Sequence, residues 1–501
     1  MVCAEGGAFD RIWRTLRSRS SSSAARRSRW WSLPAARDFS VSRWRIPAFG
    51  AAALAAAVAG ASAPAAAQTL TEALAYAYNN NPQLLAQRAL LRSTDEQVPQ
   101  ALSNWRPTVN FTGQAGIARG GVANNGSPTS ITTYTERSLD LNVTQPLYRG
   151  GRTEAQTRQA INTVQSTRAQ TLAVETTVFQ AVCTAYLDVV RDQTLVEVNI
   201  NNEQVLRKQL EATQDRFRVG EVTRTDVAQA ESSLAQATAT RISSQGQLEV
   251  SRAEYVRAVG HPPGRLVFPR ERPSLPATRE ESLSLATNNN PSVISATYAE
   301  LAARDNVDLV RGQLLPQISI IGDLNRSYAP SITLNNARED TASVVARLTM
   351  PLYEGGAVYS QTRQAEQTVG QRRSQVDDAR RAAVQTATQN WETLTAARAS
   401  IASFASAVRA AQIALQGTQQ EALVGSRTVL DVLIAEQQLF TTQSQLVTAQ
   451  HDSAVAEFNL AAAVGRLIAP ELKLPVQLYD MERHYKAVKN KWLGFGGGLS
   501  Q

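Results

Sequence analysis

The sequence predicts a mainly helical protein that also carries membrane β-strands. It is internally duplicated, and long antiparallel helical hairpins are its principal element. The duplication is written out at fixed offsets. "PLYRGG" at 146–151 returns as "PLYEGG" at 351–356, and "QTRQA" at 156–160 returns at 361–365, both 205 residues later. "VGEVTRTDVAQAE" (219–231) faces "VGSRTVLDVLIAE" (424–436) at the same offset, and "NNNP" occurs at 79–82 and 288–291. The helices announce themselves by what they lack. The 68 residues Arg152–Val219 contain no Gly or Pro, and the 68 residues Ala357–Val424 contain only Gly370 and Gly417. The strands show as alternating segments placed before each long helix. The chain accordingly divides into a leader (1–67), a first repeat (68–275), a second repeat (276–478) and a tail (479–501).

The leader accounts for the basic character of the whole. Residues 1–45 hold ten Arg against three acids, whereas residues 68–501 hold 41 basic and 40 acidic side chains. The overall charge of +8 therefore marks no nucleic-acid surface, and no nucleic-acid partner is expected. Residues 46–67 are uncharged and apolar, with Ala65-Ala66-Ala67 as an A-x-A cleavage site and Arg43 and Arg45 ahead of them. That is the pattern of a secretory signal peptide. The 40 residues before it are Arg- and Ser-rich and too long for a usual positive region. Translation from Val41 would give a signal of ordinary length. A mitochondrial transit peptide shares the Arg and Ser richness but not the apolar alanine run.

Cys3 and Cys183 are the only cysteines, so the processed chain has one thiol, no internal disulfide and no cysteine placed for a lipid anchor. Past residue 67 no run of roughly 18 apolar residues is evident, so no transmembrane helix is expected.

Each long helix extends about 100 Å at ~1.5 Å per residue. Ile161, Val164, Leu172, Val178, Val182, Ala185, Val189 and Val196 form a seam at spacings of three and four, broken by Arg168 and Glu175. A helix of that length must pair with other helices. Return helices follow each "VG" turn, over Glu221–Val259 and Ser426–Val464, with Gly260 and Gly465 as stops. Shorter helical patterns at Gln83–Asn104 and Val293–Leu314 stack on the returns and bring them near the length of the long arm.

Strand patterns run over 108–118, 137–145, 317–325 and 343–350, with polar, turn-rich loops between. Four strands of roughly ten residues suit an outer membrane but cannot close a barrel, which takes at least about eight. An open edge in lipid leaves backbone groups unpaired, so several copies must share one barrel; two would give eight strands and three would give twelve. A soluble exported coiled coil, or a periplasmic adaptor with one helical hairpin, explains the helices but not recurring strands set between them.

Strand pair, "PLYxGG", long helix, "VGxxTxxDV" turn and return helix, written twice, resemble the TolC family of outer-membrane channels. The resemblance covers nearly all of 68–485, with "RFRVGEVTRTDVAQAESSLAQA" (216–237) and "GSRTVLDVLIAEQQLF" (425–440) as its specific signals. It implies a homotrimer with a twelve-strand barrel in outer-membrane lipid and a twelve-helix periplasmic tunnel. A periplasmic adaptor protein and an inner-membrane ABC or proton-driven transporter are the implied partners. The tail "YDMERHYKAVKNKWLGFG" (479–496) resembles that of secretion-type members and points to protein or drug export.

By matching motif positions, the resemblance assigns adaptor docking to Val219, Gly220, Glu221, Val222 and Thr223 in one turn and to Gly425, Ser426 and Arg427 in the other. It assigns the pore gate to Asp226, Arg427 and Asp431, as an Arg–Asp link between hairpins and an inward carboxylate ring. Glu221 stands where the family has an apolar residue, Ala422 where it has an aromatic gate partner, and Ile434 where it has a second acidic ring. Thr223-x-x-Asp226 and Thr428-x-x-Asp431 also read as helix capping boxes, a role that needs no pore.

No cofactor or metal is expected. His261, His451 and His484 lack metal-ligand spacing, Cys183 reads as packing, and "GFGGG" (494–498) has no strand and helix around it to make a phosphate loop.

Overall fold

A computed structural model describes residues 68–122, 130–331, 334 and 337–495. The signal peptide, its cleavage site, the start at Val41 and most of the 494–498 glycine segment lie outside the described residues.

The first repeat runs α1 (Leu70–Asn80), α2 (Pro82–Asp95), α3 (Gln97–Ser103), β1 (Thr108–Val122), β2 (Ser130–Arg149), α4 (Arg152–Arg218) and α5 (Arg224–Val259). The second runs α6 (Arg279–Asn289), α7 (Pro291–Arg311) with a 3-10 turn, β3 (Gln317–Tyr328), β4 (Arg338–Thr349), α8 (Ala357–Leu423) and α9 (Val429–Ala463). A short α10 (Arg483–Val488) lies in the tail. Both long helices have 67 residues; α4 contains neither Gly nor Pro, and α8 runs on through Gly370 and Gly417.

Two differences from the sequence reading concern the stacked helices. The helix expected over 83–104 breaks at Glu96, because Pro99 has no N–H to offer the carbonyl of Asp95. Helices α1 and α6 are additional. In α1, Leu70, Ala73, Leu74 and Ala77 are buried at helical spacing.

The "NNNP" motif explains how the stacking is made. Asn81 caps α2 by accepting from Gln83 N–H at 2.9 Å, while its amide donates to Ala258 O, near the end of α5, at 3.0 Å. Asn290 does the same in the second repeat, accepting from Ser292 N–H at 2.9 Å and donating to Ala463 O at 3.2 Å. One side chain thus satisfies an orphan donor at one helix start and a carbonyl at the end of another. Pro at the first helical position completes each start. Two short helices become one wall-length rod.

Laterally, α4 packs against α2, α3 and α5 on one side and against α7 and α9 on the other, whereas α8 packs chiefly against α6, α7 and α9. Arg158 joins α4 to α7 through Asp305 (3.0 Å) and Asp308 (2.9 Å). The main core lies where α1 and the ends of α5 and α9 meet the middle of α4, around Tyr78, Phe179, Val182, Cys183, Tyr186, Leu187 and Tyr255. Among the described residues, α4 alone is long and apolar enough to cross a membrane, contrary to the reading from runs of apolar residues. Its apolar side chains supply this core, so the composition reflects burial among helices.

The four strands form one antiparallel sheet in chain order, and β2 with β3 joins the two repeats. They are longer than expected, at 15, 20, 12 and 12 residues. Cross-strand register sorts the faces. Val109↔Val143, Phe111↔Leu141↔Leu324, Ile320↔Ala346 and Ile318↔Leu348 lie on one face. Asn110↔Asn142↔Asp323 and Thr112↔Asp140↔Asn325 lie on the other. An apolar outer face and a polar inner one are what a membrane barrel requires.

The prolines of the two "PLYxGG" copies occupy different places. Pro146 stays in the sheet opposite Ser319, at a bulge and below the start of β1, where its missing N–H faces no strand. Pro351 lies past the end of β4. Gly150 then turns with φ +65°, and a Cβ there would lie 2.3 Å from Gly312 O.

Candidate functional site

The far ends of the two hairpins are built alike. Helix α4 ends at Arg218, and Gly220, with φ +82°, reverses the chain while Glu221 N–H donates to Arg216 O at 2.9 Å. Helix α8 ends at Leu423, Gly425 has φ +79°, and Ser426 N–H donates to Glu421 O at 3.0 Å. These left-handed positions favour glycine. Both capping boxes form. Thr223 N–H and hydroxyl donate to Asp226 Oδ2 at 2.8 and 2.7 Å, and Asp226 N–H returns to Thr223 Oγ1 at 3.3 Å. Thr428 and Asp431 repeat this at 2.9, 2.8 and 3.2 Å.

Charge at the tips is organised within each hairpin. Arg427 donates to Glu421 Oε2 at 2.8 Å, and Arg216 pairs with Glu221 at 3.1 Å. The Glu421 partner, with Asp431 nearby, raises the Arg427 pKa above its ordinary value. The Thr428 N–H and hydroxyl, with a smaller contribution from Arg427, hold the Asp431 carboxyl below the usual carboxylate range. Among the described residues Arg427 makes its ion pair with Glu421, and Asp226 and Asp431 are engaged as caps. The capping reading therefore stands in the geometry.

The structure brings the two tips together. Val222 and Leu234 pack against Leu206, Ala237, Val429 and Leu433, so the hairpins share a small core just above the turns. The other docking candidates, Val219, Gly220, Glu221, Thr223, Gly425, Ser426 and Arg427, are exposed. Val424 is 80% exposed and Leu423 77%, beside Val219 at 71%, so the tips carry an apolar rim. Motif matching passes over Val424, although the 205-residue offset makes it the counterpart of Val219. Ile434 is exposed on the same end and Ala422 is buried.

One further group escapes the sequence reading. Glu436 is 5% exposed, and its Oε2 has no hydrogen-bond partner among the described atoms. Burial pushes its carboxyl up to about 7 against a weaker opposing hydrogen bond from Gln419. Only the helix register, which turns position 436 inward, distinguishes it from the exposed glutamates nearby.

The histidines are structural. His261 stacks edge-on with Tyr76 at 4.6 Å, His484 lies 3.1 Å from Asp95, and His451 sits between Asp188 and Asp452, 2.9 Å from each. No group of three or more metal-ligating side chains occurs among the described residues. Cys183 is buried in the main core, and burial raises its pKa.

The profile of outer membrane efflux proteins matches residues 73–261 and again 282–466. Outer membrane efflux protein BepC of Brucella suis is 36% identical over 428 residues, spanning 85% of this chain and 91% of that protein. Outer membrane protein TolC of Vibrio cholerae is 27% identical over 413 residues, 79% of this chain and 91% of its own. The solved structure of the outer membrane protein VceC from Vibrio cholerae superposes with a TM-score of 0.69 at 20% identity, covering 79% of this chain and 96% of that one.

Proposed function

The chain belongs to the outer membrane efflux protein family and is an outer-membrane channel, and from that premise we propose that three copies join head to tail around one pore. One observation carries this. The sheet ends in unpaired β1 on one side and unpaired β4 on the other. The helical wall ends the same way, with the α2–α3–α5 rod before α4 and α8 beyond α7 and α9. Since β1 follows α3 and β4 precedes α8, the open edges of sheet and wall lie on the same two sides. A single head-to-tail contact covers both, and such contacts make closed rings when the rotation closes. An even number of strands keeps the new β1–β4 contact antiparallel.

Three copies give twelve strands and a twelve-rod tunnel. The polar sheet face lines the pore, and the tips meet a periplasmic adaptor that couples them to an inner-membrane ABC or proton-driven transporter. Val219, Val424 and the exposed turn residues form the adaptor surface. Asp226 and Asp431 serve as caps and as rings of negative charge at the narrow end, while the Glu421–Arg427 pair holds each second hairpin in its resting shape. The position of Asp226 and Asp431 in the first turn of the two return helices, at the tips, supports a cation-attracting mouth.

The ring is tested by bridging its edges. Thr112→Cys in β1 with Thr341→Cys in β4, treated with a bis-maleimide in membranes, is expected to give a ladder that stops at three chains. A ladder stopping at two, or a monomer soluble without detergent, refutes the trimer. For the gate, Asp431→Ala in the reconstituted channel is expected to lower cation preference; unaltered conductance and selectivity would remove Asp431 from the ring.

A further inference from the structure

We propose that residues 486–495 are a membrane anchor that enters the headgroup layer of the leaflet facing the periplasm. The proposal rests on the placement of the sheet in the outer membrane. After α9 the chain contributes Leu467, Ala469 and Leu474 to the main core and then runs beside α2 and α3. Its contacts advance in step with theirs. Tyr479 N–H donates to Tyr78 Oη at 2.9 Å, and His484 lies 3.1 Å from Asp95. Tyr485 packs on the cluster of Val98, Ala101, Ala160 and Val164. Lys491 O accepts from Arg106 at 2.8 Å, and the Arg106 guanidinium lies 4.8 Å from the centre of the Trp492 ring.

Arg106 fixes the height. It stands two residues before β1, and the first side chain of the apolar sheet face, Val109, is three residues on, about 10 Å along an extended chain. The segment therefore arrives where the lipid-facing surface begins. At that level it presents Trp492, Leu493 and Phe495 at 65, 89 and 110% exposure, three large apolar side chains within four positions. Such a patch marks a contact surface.

Charge identifies what covers it. The whole chain has five lysines, and three of them, Lys486, Lys489 and Lys491, fall in the six residues before Trp492. Everywhere else its positive charge is almost all arginine. Long ammonium side chains flanking an aromatic-aliphatic cluster suit phosphate headgroups with acyl chains beneath, and tryptophan rings favour that boundary. A neighbouring copy is the competing occupant, since Leu352 (91%) and Tyr353 (85%) are exposed after β4 on the opposite edge.

Tryptophan fluorescence separates the two. Past residue 67 the only tryptophans are Trp105, Trp391 and Trp492, so subtracting the Trp492→Phe spectrum isolates one ring. The processed full-length protein is placed in nanodiscs of phosphatidylethanolamine and phosphatidylglycerol, with and without bromines high on the acyl chains. The expected Trp492 component is blue-shifted and loses most of its intensity to the brominated lipid. Replacing Lys486, Lys489 and Lys491 by glutamine should reduce that quenching. Because Lys486 pairs with Glu482, Lys489 lies over the Tyr485 ring and Lys491 is half-buried, far-UV circular dichroism of the same samples checks that the fold is kept. A red, unquenched component overturns the anchor, and so does a blue component that bromine leaves untouched, which would assign the ring to the neighbouring copy. Mass measurement on the same samples keeps the readings apart. A monomer would sink the channel assembly, whereas a trimer with unquenched Trp492 sinks only the anchor.

Discussion

Asn81→Asp is a one-atom-group change that separates two roles of the same side chain. Asp is as good an N-cap as Asn, so if Asn81 only starts α2, the variant should match the parent. The structure says otherwise. The Asn81 amide donates to Ala258 O at 3.0 Å, and the residue is 7% exposed. In the variant that carbonyl loses its partner at a buried site, which costs about 1–3 kcal/mol. A carboxylate now also faces the negative end of α5, adding about 0.3–1 kcal/mol. The expected total is about 1.3–4 kcal/mol. Asn290→Asp makes the same change at the second splice, where the bond is 3.2 Å and the residue is half-buried, so roughly half the cost is expected. Guanidinium unfolding of the processed protein in detergent, followed by far-UV circular dichroism at one fixed protein concentration, measures both. Equal midpoints for parent and Asn81→Asp would refute the splice and leave a simple cap. A larger loss at Asn290 would show that burial does not set the scale.

Neighbouring glycines at the first strand-to-helix turn should respond unequally to alanine. Gly151→Ala meets open space and adds only left-handed strain of about 1–2 kcal/mol, whereas Gly150→Ala drives a Cβ to 2.3 Å from Gly312 O and should block assembly of the heat-resistant oligomer on gels. Glu457 is 2% exposed and takes Arg272 and Arg398 on the same oxygen at 2.9 Å, while those arginines are themselves well exposed. Removing both arginines strands a buried carboxylate, costing about 3–5 kcal/mol, whereas Glu457→Gln lets the arginines rehydrate and should cost less in the same unfolding assay. Glu436, pushed up to about 7 from 4.5, favours the fold when protonated, so its contribution shrinks as pH rises from about 4.5 to 7. Burial lowers the His451 pKa, but Asp188 and Asp452 outweigh it and leave the value raised; its contribution is present below about 6.5 and lost as pH rises through the folded value. Stability should therefore fall from pH 5 to 8, and Glu436→Gln and His451→Gln should each flatten that slope.

The long helices were legible because their signal is an absence: neither Gly nor Pro interrupts 152–219. The strands were legible as alternation, yet their ends were not. The segments around 119–122 and 130–136 contain Gly, Ser and Thr that read as loop, and only pairing with the partner strand shows that the ladder continues. Asn81 and Asn290 stood out as repeated letters, but their second bond goes to a carbonyl 177 residues later in one case and 173 in the other, which no local pattern contains. At the tips, the Thr-x-x-Asp boxes fixed the caps from spacing alone. The burial of Glu436 and the choice of Glu421 by Arg427 depend on which helix faces which.

The two copies have diverged in the direction their neighbours dictate. Helix α4 is flanked on both sides within one chain and buries Phe179, Tyr186, Leu187 and a run of valines. Its twin α8 has one flank covered and buries mostly alanine, with Val358, Val376 and Leu394 as its larger buried residues. The "PLYxGG" turns show the same asymmetry: Gly150 is locked against Gly312, whereas Gly355 has open space and Leu352 and Tyr353 stand in solvent. An unmodified duplicate would have placed large apolar side chains on the outer flank of α8, where a lone chain exposes them while folding. The exposed side of α8 carries mainly long polar side chains instead, among them Arg363, Arg372, Arg373, Arg380 and Arg381. The first repeat thus supplies most of the large side chains of the main core, and in the proposed ring α8 of the second lies at an open edge.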